Sequence, residues 1–295
     1  MIEKPETISL DQFFQQFPGE KAARYYFENS RWGGKVSCPH CGSHSVAEVK
    51  NHKPMPYRCR DCRQHFSVRT GTALAESRLP LQKWLIAIYM MTEARKGIPS
   101  SQMARELGIT EKSACFLAQR IRETWLAGQG GGKGDRVQLD ECYVGGRGSV
   151  GETAVAGTRC EANEVRALVA AATRAPTLGT CERADAIAGA TVVTEASGGY
   201  VGPQANGFNH IHISHSVGEY LRDMAHTNGI ESFWSLLKRG CMSIYQFMNA
   251  KHPHYYVNRY AFRQNTARAG TMPFIDITLR RGVGKRRMYK SPFHA

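Results

Sequence analysis

Apolar and polar positions alternate along this chain with two periods, and the period changes near a glycine-rich stretch at 127–134. Before it, the spacing is helical. Leu10, Phe13, Phe14 and Phe17, then Ala22, Ala23, Tyr26 and Phe27, predict two short helices over 8–30 broken at Pro18-Gly19. Trp84, Leu85, Ile88, Tyr89, Met90 and Met91 predict a strongly apolar helix over 79–96, stopped at Gly97 with Pro99 beyond. Residues 100–122 then read as a helix-turn-helix. A short helix closes on Leu107-Gly108, Thr110 caps a second, and Ala114, Leu117, Ala118 and Ile121 face inward. Lys112, Ser113, Phe116, Gln119 and Arg120 are left as candidates to enter a DNA groove.

After the glycines the period becomes two. Over 136–144, Val137, Leu139, Glu141 and Tyr143 alternate with Gln138, Asp140, Cys142 and Val144, the pattern of a half-buried strand. Strands are expected also near 152–157, 165–173 and 190–195, with a short helix around 182–188 and helices from about 215. Within the last group, Ile230, Phe233, Trp234 and Leu237 recur at i, i+3, i+4 and i+7, a core-facing stripe. This order predicts an α/β domain of the ribonuclease H type, a mixed sheet flanked by helices. The Gly145-Gly-Arg-Gly148 turn lacks the lysine and helix start of a phosphate-binding loop.

Charge narrows the partner. Lys and Arg number 39 against 25 Asp and Glu, a net charge of +14, which favours a polyanion such as nucleic acid over a neutral partner. A membrane surface is the rival reading, but the longest apolar run, Trp84 to Met91, falls far short of the ~20 residues that span a bilayer. An N-terminus without signal-peptide shape adds the expectation of a cytoplasmic protein.

Nine cysteines are an odd number, and four of them are paired by spacing. Cys38-Pro-His-Cys41 and Cys59-Arg-Asp-Cys62 match the spacing of a four-thiolate structural zinc site. Four free buried thiols would not explain two such pairs. A second constellation is acidic. Asp140 sits on one strand, Glu195 follows another, and Glu231 lies on the striped helix two turns before Lys238. A Glu and Lys at i, i+7 are usually two solvated charges. With the two upstream acids, Glu231 makes a set of three carboxylates that fits as oxygen ligands for a pair of Mg²⁺ ions roughly 3.5–4 Å apart around an in-line phosphoryl displacement.

The paired cysteines, Leu139-Asp-Glu-x-Tyr-x-Gly-Gly146, His215-Ser-x-Gly-Glu-Tyr220, His226-Thr-Asn-Gly-Ile-Glu-Ser-Phe-Trp-Ser235 and Tyr256-Val-Asn-Arg-Tyr-Ala-Phe-Arg-x-Asn265 together resemble one family. It is the DDE transposases of bacterial insertion sequences, in the ISXO-like group related to the eukaryotic Merlin elements. The resemblance implies a ribonuclease H-like catalytic domain that cleaves DNA and joins it to a target. It makes Asp140 the first catalytic acid and Glu231 the third, with Asn228 the alternative third ligand, and sets Lys238 and Arg239 against DNA. Two Mg²⁺ ions, replaceable by Mn²⁺, would serve as cofactors beside the structural zinc. The partners implied are double-stranded DNA, at terminal inverted repeats and target, and a second copy of the chain, all at the bacterial nucleoid.

The resemblance divides the chain into N-terminal helices (1–30), a zinc ribbon (31–75), the helix-turn-helix region (76–126), a linker (127–134), the catalytic domain (135–270) and a basic tail (271–295). A fragment ending near residue 130 should then bind DNA alone. Arg280, Arg281, Lys285, Arg286, Arg287 and Lys290 make the tail either a solvated run or a set of phosphate contacts. One departure stands out. Where the family has Asp after Thr, Thr194 is followed by Glu195, and 148–189 also matches poorly. Asp185 precedes the strand and is a poor substitute. Three readings follow: an active transposase, an impaired or domesticated DNA-binding protein, and a nuclease that cuts without joining.

Overall fold

The first helix starts where Ser9 closes a capping box. Its hydroxyl accepts from the Gln12 amide at 3.2 Å, and the Gln12 side chain accepts from the Ser9 amide at 2.8 Å. The computed structural model describes residues 6–49, 52–126, 134–144, 153–160, 164–170, 186–195, 207–213, 227–244 and 253–285. Two units are separable, one formed by 1–127 with 268–295 and the other by 128–267.

In the first unit, α1 (Leu10–Gln16) and α2 (Glu20–Trp32) break at Pro18-Gly19, as the sequence predicts. A three-stranded antiparallel ribbon follows, β1 (Val46–Glu48), β2 (Tyr57–Cys59) and β3 (His65–Phe66). Next is α3 (Leu81–Glu93), whose preceding residue, Pro80, has no side chain able to cap it. Glu20 of α2 substitutes, accepting from the Leu81 and Gln82 amides at 2.8 Å each, a carboxylate at the positive end of a helix. Then come α4 (Ser100–Leu107), ended by left-handed Gly108, and α5 (Glu111–Trp125), capped by Thr110.

In the second unit, β4 (Gly134–Val144), β5 (Thr153–Cys160), β6 (Val165–Ala170), β7 (Ala186–Glu195) and β8 (Asn209–Ile213) form one mixed sheet in the order β6-β5-β4-β7-β8. β5 and β6 run antiparallel to their neighbours, whereas β7 is parallel to β4 and β8 parallel to β7. On one face lie α6 (Asn228–Ser243) and α7 (Pro253–Asn265). Ile230, Phe233, Trp234 and Leu237 of α6 pack there with Cys142, Val144, Val155, Val165 and Ala167 of the strands and Val257, Tyr260 and Ala261 of α7. The end of α7 is pinned to the edge strand because the Asn265 amide imitates a backbone partner. Its Oδ1 accepts from Val165 N–H at 2.7 Å, and its Nδ2 donates to Val165 C=O at 2.9 Å.

Three expectations need correction or fall elsewhere. Ala186–Ala188 is strand rather than helix; pairing in the sheet, with Ala186 and Ala190 buried, overrides alanine's helix preference. Residues 182–185, the linker residues 127–133, and 214–226 lie outside the described residues, while Gly134 already belongs to β4. Residues 271–281 are not a tail. They form α8 (Thr271–Arg281), which packs on α2, α3 and α5 with Phe274, Ile275 and Leu279 buried.

Hydrogen bonds fix α8 in place. Trp125 Nε1 donates to Thr278 Oγ1 at 3.1 Å, Ser30 Oγ donates to Asp276 at 2.5 Å, and Lys285 Nζ donates to the Glu123 carbonyl at 2.8 Å. Arg280 pairs with Asp276 at 2.7 Å, and burial lowers the pKa of Arg281 and of Lys285. Part of the basic run is therefore structural.

Removing 268–295 should unfold the first unit. Phe274, Ile275 and Leu279 each contribute about 1.5–3 kcal/mol by burial, a total that competes with the ~5–15 kcal/mol stability of a whole domain. A fragment ending near residue 130 should be protease-sensitive and aggregate, whereas adding a synthetic 268–285 peptide should restore protection. A stable, well-dispersed 1–130 fragment would refute this.

Candidate functional site

Two constellations are built, one in each unit. In the first, the Cys38 and Cys62 sulfurs lie 3.6 Å apart, as do those of Cys41 and Cys59, and all four sulfurs fall within 4.8 Å of one another. A zinc ion bound tetrahedrally at about 2.3 Å from each sulfur sets the sulfurs roughly 3.8 Å apart, so the set fits a structural zinc. The turns that bring them together also supply donors. The Cys62 amide, joined by that of Asp61, holds the Cys59 thiol down to about 7 against burial. The Gln64 amide acts likewise on Cys62, but burial and the neighbouring sulfurs outweigh it and push that thiol up to about 12. Crowded thiols resist joint ionisation, and a bound dication removes that opposition. Around them only a small core of Trp32, Val36, Val46, Tyr57 and Phe66 is packed.

The second constellation arises from how α6 lies along β4. Gln138, Asp140 and Cys142 point to one face of the strand, and each meets α6 four helical residues further on. Gln138 Oε1 accepts from the Ile230 amide at 2.9 Å, and Asp140 Oδ2 accepts from Trp234 Nε1 at 2.9 Å. At Cys142, burial pushes the thiol up to about 11, and the charge of the Lys238 ammonium works against that rise. Two strand residues advance about 6.6 Å and four helical residues about 6.0 Å, so the two elements stay in step. The helix start is clamped by the same strands. Thr227 gives α6 no side-chain cap, and Gln138 serves instead, while Arg159 Nη1 donates to the Gly229 carbonyl. A β-carbon at Gly229 would lie 2.6 Å from Gln138 Oε1, so the clamp requires glycine.

Asp140 is 8% exposed, a buried carboxylate on the central strand. Its Oδ1 accepts from the Glu141 amide at 2.8 Å. Directly across β5 stands Gly157, over which Trp234 is laid. Glu231, one turn before Trp234, is half-buried and accepts from Thr227 Oγ1 at 2.5 Å. Asn228 and Lys238 are exposed on the same helix, and exposed Arg239 folds back onto the Ser235 carbonyl at 3.1 Å. Glu195 ends β7; Thr194 pairs with Leu139, which sets the Glu195 backbone beside that of Asp140. Its side chain lies outside the described residues. Thr194 is fully buried and shares a 2.8 Å hydrogen bond with His210 of β8.

Of the five groove candidates, Lys112 is exposed and Ser113, Phe116 and Gln119 are half-buried. Arg120 is withdrawn and is corrected here: it is 5% exposed, its guanidinium lies 5.0 Å from the Phe116 ring centroid and 5.8 Å from that of Trp84, and Nη2 donates to the Ala75 carbonyl. Sequence reasoning missed Gln138, Gly157, Arg159, His210 and Gly229 as supports of the elements that carry Asp140, Glu195 and Glu231. It read Trp234 as core alone. The signal available for Gln138 was its place two residues before Asp140 on the same strand face.

Metal analysis should find about one zinc per chain. Cys59→Ser should release it and open 31–75 to protease, and a metal-free, fully folded wild type would rule the site out. In the second unit, Gln138→Leu should cost about 0.5–1.5 kcal/mol by removing one of the two acceptors of the Ile230 amide, the other being the Thr227 carbonyl at 3.0 Å. Gln138→Glu keeps an acceptor at a helix N-terminus and should hold the denaturation midpoint near wild type. Equal loss in both variants would remove the capping role.

Residues 131–265 match the family model described as the ISXO2-like transposase domain, and residues 18–65 match the transposase zinc-ribbon domain. Together the two matches span more than half of the chain. A 129-residue stretch is 30% identical to an uncharacterized protein in transposable element ISH50 of Halobacterium salinarum, covering 43% of this chain and 43% of that protein. The chain thus spans less than half the length of this curated relative. That organism is an archaeon, so the bacterial setting expected from the resemblance is not supported. No helix among the described residues is long and apolar enough to cross a membrane. With a four-cysteine cluster inside one match and the mixed sheet inside the other, the chain carries an ISXO2-like transposase domain behind a transposase zinc ribbon.

Proposed function

We propose that this protein binds the ends of its element and catalyses metal-dependent DNA cleavage and strand transfer in a ribonuclease H-like domain. The observation that carries the reading is the buried Asp140 carboxylate on the central strand, with the Glu195 backbone beside it and Glu231 one turn from Trp234, which donates to Asp140. Asp140, Glu195 and Glu231 are oxygen donors suited to hard cations; Asn228, in the same first turn as Glu231, is the alternative third ligand. A pair of divalent cations bound there, Mg²⁺ or Mn²⁺, would activate the attacking oxygen and stabilise the leaving one. The chain's own contribution is placement: β4 and β7 fix two acids in parallel register, and the Gln138–Arg159 clamp fixes the helix bearing the third. Exposed Lys238 is then placed to meet a DNA phosphate.

End recognition we assign to the first unit, with Lys112, Ser113, Phe116 and Gln119 of α5 as the groove-facing set and Arg120 as their internal support. The +14 charge supports a polyanionic partner. Acting on two ends at once implies at least two copies in the working assembly.

Glu195 favours a second reading, an impaired copy that still binds DNA. Its extra methylene shifts the carboxylate by about 1.5 Å relative to aspartate. β7 shifts register against β4 before Thr191, but from Thr191 to Glu195 its pairing with β8 is regular, so no bulge stands next to Glu195 to absorb the difference. Misplacement of about 1 Å can cost on the order of 10²-fold in rate.

Purified protein incubated with labelled element ends and Mg²⁺, scored separately for binding, nicking and joining, tests both readings. Asp140→Ala should abolish nicking and joining and preserve binding; persistent nicking would remove the three-acid assignment. Glu195→Asp should raise the nicking rate if the copy is impaired and lower it if the site was built around glutamate. Lys238→Ala should slow joining, and an unchanged rate would reduce it to a surface charge.

A further inference from the structure

Trp234 does more than fill the core. Its indole N–H is aimed at Asp140 Oδ2 at 2.9 Å inside the sheet–helix interface, where Trp234 is 4% and Asp140 8% exposed. The sheet is shaped to admit it. Asp140 is paired in register with Gly157, and a β-carbon at Gly157 would stand 2.6 Å from the indole Cη2 and 2.8 Å from Cζ2. Real β-carbons do not approach that closely, so the six-membered ring occupies space that any other residue at 157 would take. A phenylalanine or leucine would satisfy the apolar stripe. Neither would donate to the carboxylate.

The chemistry of the donor is specific. An indole N–H donates and cannot accept, and it carries no charge. It can orient a carboxylate without competing as a ligand and without repelling a cation, as Lys or Arg would at the same place. The Glu141 amide engages the other oxygen, so both oxygens of Asp140 are held by neutral N–H donors. Trp234 is also the residue of α6 between Glu231 and Lys238 that touches the first acid, so the same contact sets where the third acid stands along the sheet.

We infer that Trp234 is a positioning residue, whose indole, seated on Gly157, fixes the Asp140 carboxylate for divalent-cation binding. This rests on the proposed function only in that Asp140 binds metal. Outer-shell partners of this kind change metal affinity or activity by about 10–100-fold when removed.

The test uses full-length, zinc-loaded protein labelled with 5-fluorotryptophan and titrated with Mn²⁺. Of four tryptophans, the resonance lost in Trp234→Phe should broaden first. Mn²⁺ affinity, read by electron paramagnetic resonance, should fall about 10–100-fold in Trp234→Phe. The Mg²⁺ concentration for half-maximal nicking should rise in parallel, and DNA affinity should stay unchanged. Gly157→Ala keeps the indole but displaces it, so it should weaken Mn²⁺ binding too, and it carries the test if the phenylalanine variant does not fold. In the Trp234→Phe background, Gly157→Ala should add little. Wild-type Mn²⁺ affinity in both single variants, with binding lost in Asp140→Asn, would overturn the positioning role while leaving the metal site standing. Mn²⁺ binding that survives Asp140→Asn would overturn the proposed metal site itself, and the positioning role with it.

Discussion

The second unit depends on one match of repeats, two residues of β4 against four residues of α6. Because the two steps differ by less than an ångström, three meetings follow in succession: hydrogen bonds at Gln138 and Asp140, then the influence of the Lys238 charge on Cys142. The first replaces a missing helix cap, the second holds the buried acid, and the third brings a cation to the end of the row. A shift of α6 by one residue would turn the stripe of Ile230, Phe233, Trp234 and Leu237 by about 100° and lose all three at once. The clamp at Gly229, where two side chains converge on a position without a β-carbon, sets the starting point from which the rest is counted.

The first unit solves a different problem. Its ribbon has three strands of two or three residues each and a core of a few aromatic and aliphatic side chains, too little to persist unaided. Four thiols converging on one point supply the missing constraint when a metal binds them. One helix relies on a substitute cap: where Pro80 cannot serve α3, Glu20 reaches across from α2. Both units therefore repair a local deficiency of the chain with a residue distant in sequence.

That habit explains what could be read from the sequence and what could not. Helices with a clear stripe or cap, such as those around Trp84 and after Thr110, were legible, as was the cysteine spacing, because each depends on residues within one or two turns. The alternation around Asp140 announced a strand. The partners did not announce themselves: Trp234 meets Asp140 across 94 residues of chain, and a core-facing tryptophan has the same pattern with or without a carboxylate beneath it. Arg120 occupies a polar position of an amphipathic helix, and its burial is decided by Trp84 and Ala75, which local periodicity does not see. The helix at 271–281 was hidden by the basic run that overlaps its end, which drew attention from Phe274, Ile275 and Leu279.

The returning helix has a consequence for synthesis. Thr271 donates its amide to the Glu6 carbonyl and its hydroxyl oxygen lies 3.4 Å from the Ile8 amide, contacts that join positions more than 260 residues apart. The unit that leaves the ribosome first thus cannot close until residues near 280 have emerged, whereas 128–267, continuous in sequence, can fold while the chain is still growing. Folding order inverts synthesis order. From Trp125 to Arg281, more than 150 residues of elongation, a nascent chain exposes the apolar faces of α3 and α5 that α8 will cover, the kind of surface that holding chaperones bind.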